Sequence, residues 1–140
     1  MSRVYELMIK EKERQENGIE LIASENYISD DIRNALMSVF TDKYAEGYPG
    51  KRYYGGCAVV DELEEYCKKK WQEVFDTNYH VNVQPHSGTQ ANMAAFAAVL
   101  KPGDKILSLD LNSGGHLSHG SPVSFSGKTY YIYHYSLDEN

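Results

Sequence analysis

Apolar and polar positions alternate along this chain with two different periods, and those periods divide it into elements. Residues 2–16 place Val4, Leu7 and Met8 on one side and charges elsewhere. That pattern predicts an amphipathic helix with a narrow apolar stripe, suited to lie on a partner surface and broken by Gly18. Ile19, Leu21 and Ile22 lead into Ala23, Ser24, Glu25, Asn26 and Tyr27, read as a short extended piece with a polar end. Ser29 is a good N-cap, and Asp30 and Asp31 fall where the helix dipole favours carboxylates. Ile32, Ala35, Leu36, Val39 and Phe40 then recur at helical spacing, which predicts a helix with one buried face. Residues 61–75 predict another amphipathic helix, with Glu62, Glu64 and Glu65 early and Lys68, Lys69 and Lys70 late, as the dipole favours. Its apolar stripe is Leu63, Cys67, Trp71 and Val74. The charges read as a solvated face, and Cys67 as a core residue rather than a nucleophile.

Residues 80–111 hold the most informative pattern. Val81, Val83 and Pro85 read as a strand entering a turn. Ser87, Gly88 and Thr89 follow, and then an Ala-rich helical segment, 90–100. Lys101, Pro102, Gly103 and Asp104 end that helix, and residues 106–111 read as a second strand. The result is a βαβ unit whose first turn is small and hydroxylated. Such a turn leaves N–H groups unpaired at a positive helix end, which suits a phosphate or another anion. Taken alone, these residues are explained more simply by an ordinary N-capped helix, and it is their neighbours that favour the anion site.

Two loops interrupt the periodic segments. Residues 44–56, YAEGYPGKRYYGG, contain Gly47, Pro49, Gly50, Gly55 and Gly56, and so predict no regular element. Long loops in compact domains are usually functional or disordered, and Tyr44, Tyr48, Tyr53 and Tyr54 argue against disorder. A nucleotide-binding P-loop fails here, because Ala45 stands at the first glycine position and Arg52 at the Ser/Thr position. Residues 112–127, NSGGHLSHGSPVSFSG, follow a strand end, where open α/β sheets bind ligands. His116 and His119 have a spacing that holds metals on helices, but no third ligand is evident and no metal site is expected. A histidine in such a loop can equally stack on a flat ligand. Residues 129–135 predict a strand, and residues 136–140 the start of a capped helix.

Composition narrows the function classes. The chain has 140 residues, 41% hydrophobic and 24% charged, which describes a globular protein. A net charge of -6 gives no electrostatic case for nucleic acid or for an anionic membrane. No apolar run approaches the ~20 residues that cross a bilayer. The charged start, MSRVYELMIKEKERQ, lacks the apolar core of a secretion signal, so a cytoplasmic location is expected. Cys57 and Cys67 form neither a metal pattern nor a disulfide framework.

Four motifs in order, LIASENY (21–27), YAEGYPGKRYYGG (44–56), VQPHSGTQAN (83–92) and GGHLSHGSPVSFSGK (114–128), resemble the N-terminal part of the serine hydroxymethyltransferase family. The resemblance runs from about Arg14 to the last residue. It implies an α/β fold, part of the large domain of a fold-type I transferase dependent on pyridoxal phosphate (PLP), with an N-terminal helical segment and the start of a mixed sheet. It divides the chain into a helical arm with a Tyr/Gly-rich active-site loop, 1–56, and the beginning of the PLP-binding domain, 57–140. The implied reaction interconverts serine and glycine, with tetrahydrofolate carrying the one-carbon unit. The implied assembly is a homo-oligomer.

By the same resemblance, Ser87, Gly88 and Thr89 hold the cofactor phosphate, with Thr89 replacing the commoner serine. His116 resembles the histidine that stacks on the pyridine ring, and Tyr44 also belongs to the cofactor site. Ser24 and Tyr54, with Glu46, resemble substrate-binding residues. Glu46 resembles a proton donor or relay between the substrate hydroxyl and folate, one whose pKa burial would raise. Tyr44, Tyr53 and Tyr54 resemble tyrosines that reach the site of the opposite subunit. Tyr53, Leu111, Gly115, His116 and Leu117, again with Glu46, resemble the folate-contacting set, although Asn112 and Ser113 vary from the usual pattern. Glu46 and His116 are therefore the implied catalytic residues.

None of the lysines stands in the motif of the lysine that bonds PLP, so the chain is expected to be a fragment that is inactive alone and exposes apolar faces. A non-catalytic truncated paralogue that pairs with a complete subunit is an alternative reading. Another fold-type I enzyme, such as a threonine aldolase or aminotransferase, is a further alternative, against which the tyrosine loop argues.

Overall fold

A computed structural model describes residues 2–138. The chain divides between Val60 and Asp61 into two compact units. In the first unit, Ser2 caps helix α1 (Arg3–Asn17) by accepting the N–H of Tyr5 at 3.4 Å, and the helix ends at Gly18. Its surface is laced by exposed pairs such as Arg14–Glu11 at 2.8 Å. Hydrogen bonds from Arg14 and then Gln15 pull the Glu11 carboxyl down to about 2. The stripe of Val4, Leu7 and Met8 is exposed. The segment expected to be extended instead turns at Ala23 and Ser24, where Glu25 N–H donates to the Ile22 carbonyl at 3.0 Å.

Helix α2 (Asp30–Leu36) begins as the sequence predicts, with Ser29 accepting from Ile32 N–H at 3.3 Å. It does not continue to Phe40. Ser38 takes an extended conformation, and its carbonyl accepts from both the N–H and the hydroxyl of Thr41, starting a separate 3₁₀ turn (Val39–Asp42). Ser and Thr compete for helical backbone groups in this way. The expected buried face is absent, because Ile32, Leu36, Val39 and Phe40 are all exposed.

The glycine-rich loop contains a miniature antiparallel hairpin, contrary to expectation. β1 (Gly47–Tyr48) pairs with β2 (Lys51–Arg52), in register Gly47 to Arg52 and Tyr48 to Lys51. Pro49 and Gly50 turn the chain. Gly50 has φ +72°, and proline followed by a left-handed glycine is what a type II turn requires.

Helix α3 (Ala58–Val74) starts earlier than predicted. Its lysines lie late but not in its last turn, and Lys68 pairs with Glu65 at 2.7 Å and Lys70 with Glu73 at 2.6 Å. Cys67, expected in the core, is only half-buried, and Leu63, Trp71 and Val74 are exposed. The helix closes with Asp76 at φ 45°. Thr77 N–H donates to Gln72 and Asp76 N–H to Glu73, the paired bonds of a left-handed helix cap.

Within the second unit, residues 80–85 do not form the expected strand. Gln84 N–H donates to the Asn82 side chain at 3.0 Å, and the Gln84 amide donates to Glu64 at 3.0 Å. Side-chain bonding of this kind takes the place of a ladder. Helix α4 (Gly88–Val99) and strand β3 (Lys105–Leu109) follow, joined by a turn with Gly103 at φ +89°. Residues 110–124 form a turn-rich loop. A short helix α5 (Phe125–Thr129) then occupies the end of what reads in the sequence as loop, and β4 (Tyr131–Tyr135) returns parallel to β3, from Lys105–Tyr131 to Leu109–Tyr135. Residues 136–138 are not helical, and Glu139 and Asn140, where the predicted helix would continue, lie outside the described residues.

Packing in the second unit centres on Tyr130, 6% exposed, whose ring meets Phe96 at 6.0 Å and Phe125 at 6.1 Å. Leu107, Tyr131, Tyr133 and Tyr135 on the parallel pair are exposed and share one face, which presents apolar surface. Among the described residues, no helix is long and apolar enough to cross a membrane.

Candidate functional site

The sequence-predicted site residues fall in both units, and each group has its own supports. In the first unit, three side chains hold the tyrosine loop through its carbonyl groups. Arg52 Nη1 donates to the carbonyls of Ala45 at 2.7 Å and Gly47 at 2.8 Å. Lys43 Nζ donates to those of Tyr44 at 3.1 Å and Gly55 at 2.9 Å. Cys57, 5% exposed, directs its thiol at the Tyr54 carbonyl at 3.3 Å. A loop braced this way keeps its shape while its side chains stay available. Tyr44 and Tyr54 meet edge to face at 5.2 Å, and both remain exposed, as does Tyr53. Glu46 precedes the hairpin, and its carbonyl accepts Tyr53 N–H at 3.1 Å. Its side chain is exposed, so the burial expected of it is not found in this chain.

Ser24 is also exposed, in the turn after Ile22. Beside it an open cleft of about 560 Å³ is lined by Arg14, Ile19, Glu20, Glu25, Tyr27 and Arg33 among others. Desolvation, then the hydrogen bond to Glu20, pushes the Glu25 carboxyl up, whereas the Ile22 amide pulls Glu20 down.

In the second unit, Ser87 is the N-cap of α4. Its hydroxyl oxygen accepts Gln90 N–H at 3.2 Å, which leaves its hydrogen free to donate outward. Gln90 reaches back to accept His86 N–H at 2.7 Å, a reciprocal capping arrangement. Among the described residues, no acceptor pairs with the N–H groups of Gly88 and Thr89. All three residues are exposed, and nothing lies within 4 Å of where a Gly88 Cβ would stand. Exposed N–H donors, two hydroxyls and a positive helix end make an open anion cradle.

The 110–124 loop carries Leu111, Gly115, His116 and Leu117, and the structure brings them together at the end of β3. Leu111, His116 and Leu117 are exposed. Gly115 donates its N–H to the Asp110 carbonyl at 2.7 Å and sits so close to the β3 backbone that a Cβ would lie 2.0 Å from the Leu109 carbonyl oxygen. His116 and His119 rings meet at 5.6 Å. His119 points inward against Phe96, also at 5.6 Å, rather than toward a shared metal. Among the described residues no cluster of His, Cys, Asp or Glu is arranged to hold a metal ion.

Several supporting residues escape the sequence reading. Ser126, 1% exposed, accepts Gly120 N–H at 2.8 Å and donates to the Ser118 carbonyl at 2.7 Å. Ser108 donates to the His119 carbonyl. Asp110 accepts Ser113 N–H at 2.8 Å and also the Ser136 hydroxyl. The available signal was the density of serines in a glycine-rich loop after a strand, since serine hydroxyls satisfy loop backbone groups.

These bonds, led by that from Ser136 and then the Ser113 amide, hold the Asp110 carboxyl below the usual carboxylate range. A depressed folded pKa means that Asp110 contributes stability above its unfolded pKa, about 3.9, and loses it as pH falls through the folded value. Asp110→Asn should therefore be less stable than the parent at neutral pH. Urea unfolding at stepped pH should show that difference closing below about pH 4. A pH-independent difference would reject the ionised-carboxylate account.

Comparison with known proteins identifies the family. The sequence model for serine hydroxymethyltransferase matches residues 2–140. A protein of Malacoplasma penetrans (strain HF-2) named serine hydroxymethyltransferase is 58% identical over 134 residues. That alignment covers 96% of this chain and 32% of the relative, so the chain spans about a third of its length.

Proposed function

This chain belongs to the serine hydroxymethyltransferase family, and from that premise we propose that it forms part of the large domain of a fold-type I enzyme that interconverts serine and glycine with tetrahydrofolate. PLP is the proposed cofactor, and the N-terminus of α4 is the observation that carries the reading. The residues present fit the cofactor's phosphate. Ser87 donates its hydroxyl, Gly88 and Thr89 donate backbone N–H groups, and Thr89 adds a second hydroxyl. PLP supplies an electron sink for bonds at the amino-acid α-carbon.

The chain's own groups have separate tasks. His116 would stack its exposed ring on the cofactor, and Tyr44 would belong to the cofactor site of a neighbouring subunit. Ser24 and Tyr54 bind the amino-acid substrate. Glu46 moves a proton between the substrate hydroxyl and folate. Leu111, Gly115, His116 and Leu117 would contact folate, and Tyr53 and Glu46 would do so in the site of a neighbouring subunit. The exposed apolar stripe of α1 and the braced tyrosine loop support a homo-oligomer in which the loop serves a neighbouring subunit.

Cofactor titration followed by absorbance tests the cradle. Thr89→Val keeps the Ser87 cap and should weaken PLP about tenfold, equivalent to ~1.4 kcal/mol. Ser87→Ala should weaken it at least as much and also destabilise α4 by about 1 kcal/mol. Inorganic phosphate should compete with PLP in the parent chain. PLP binding that neither substitution alters would remove the phosphate assignment.

A further inference from the structure

We propose that Asn92 and Ser118 are positioning residues for His116, fixing its ring as the Nε2–H tautomer and tying it to the helix that begins at Ser87, Gly88 and Thr89. The inference deepens the reading above and rests on it for the cofactor's place. The backbone N–H of Ser118 can only donate, and it lies 3.1 Å from His116 Nδ1. That contact favours a lone pair on Nδ1, which puts the ring proton of the neutral imidazole on Nε2. Ser118 Oγ approaches the same nitrogen at 2.7 Å. Asn92 Nδ2 donates to Ser118 Oγ at 2.7 Å, which occupies an oxygen lone pair and leaves the hydroxyl hydrogen free to turn toward His116. The backbone N–H alone only favours this tautomer, and the Ser118 hydroxyl, oriented by Asn92, adds the second donor that fixes it.

The relay is shielded and anchored. Ser118 is 6% exposed and Asn92 half-buried, so water competes little for these bonds. The Ser118 carbonyl is held by the buried Ser126 hydroxyl. Asn92 stands one helical turn beyond Thr89 in α4. The element that offers its N-terminus to a phosphate thus also sets the orientation of the exposed imidazole. A flat cofactor held at one end by its phosphate and at the other by a stacked ring needs that spacing fixed.

Nitrogen NMR of the full chain with labelled histidine, assigned by comparison with His116→Asn, tests the relay at a pH where the ring is neutral. In the parent, His116 Nδ1 should resonate as unprotonated and Nε2 as protonated. Asn92→Asp presents only acceptors to Ser118, so the hydroxyl turns away, its oxygen lone pair faces the ring, and the Nδ1–H form should gain population. Ser118→Ala should give mixed tautomers and weaken PLP about tenfold, whereas Ser118→Thr, which keeps the hydroxyl, should restore both readouts. Unchanged nitrogen signals in Asn92→Asp and Ser118→Ala would overturn the relay. A parent that binds PLP no better than its Ser118→Ala variant would overturn the positioning role. A parent that binds no PLP would instead reject the phosphate cradle as sufficient to hold the cofactor in this chain, while the nitrogen signals would still decide the tautomer.

Discussion

In a completed enzyme that carries the cofactor lysine, Glu46→Gln should lower tetrahydrofolate-dependent serine cleavage by about 10²–10⁴-fold while PLP stays bound, the range expected when a positioned proton-transfer group is lost. The substitution is nearly isosteric and leaves the loop's supports alone. Arg52 and Lys43 hold the surrounding carbonyls, and the bond that Glu46 itself makes to Tyr53 uses its backbone oxygen. The glutamine amide cannot exchange a proton at neutral pH, so the loss should appear in kcat, with the PLP absorbance spectrum unchanged. Full occupancy with unchanged turnover would remove the proton-relay role. Loss of PLP together with activity would instead place Glu46 in the cofactor site.

Much of this site was legible in the sequence, for reasons that differ from residue to residue. Ser29 and Ser87 declare helix starts because a cap is a local bond between a hydroxyl and an N–H a few positions on, and both bonds are present. The turn through Gly103 is legible on the same local grounds. Strand pairing is not local. The alternation of Val81 and Val83 says that an extended segment would have two faces, but not what it would pair with, and side-chain bonds by Asn82 and Gln84 occupy that stretch instead. The hairpin of β1 and β2 was hidden for the opposite reason: four glycines argue against a strand in general, yet a pair of two-residue strands needs only Gly50 in a left-handed turn. The relay through Asn92, Ser118 and Ser126 was also invisible, because it joins residues of α4 to a loop beyond β3, and several of its acceptors are carbonyls that every residue carries.

Replacing Gly115 with alanine should be the most damaging single-methyl change in the histidine loop. The added Cβ would stand 2.0 Å from the Leu109 carbonyl oxygen and 2.7 Å from that of Asp110, both backbone atoms at the end of β3. Neither can swing aside as a side chain would, so the loop must lift away or β3 must shift. Overpacking of this kind costs about 1–3 kcal/mol. The lift would also break the Gly115 bond to Asp110 and carry His116 out of register with Asn92 and Ser118. Thermal unfolding should show the destabilisation, and PLP binding should weaken beyond what the lost stability explains. Gly88→Ala is the informative companion. Nothing lies within 4 Å of its would-be Cβ and it occupies a helix, so it should leave stability unchanged or raise it by about 0.5–1 kcal/mol. Its methyl group would stand where a phosphate approaches the helix end, so PLP affinity should still fall. Alanine at Gly115 that leaves both unfolding and PLP binding at parental values would mean that the loop yields freely, and would remove the claim that its backbone packing holds His116 in place.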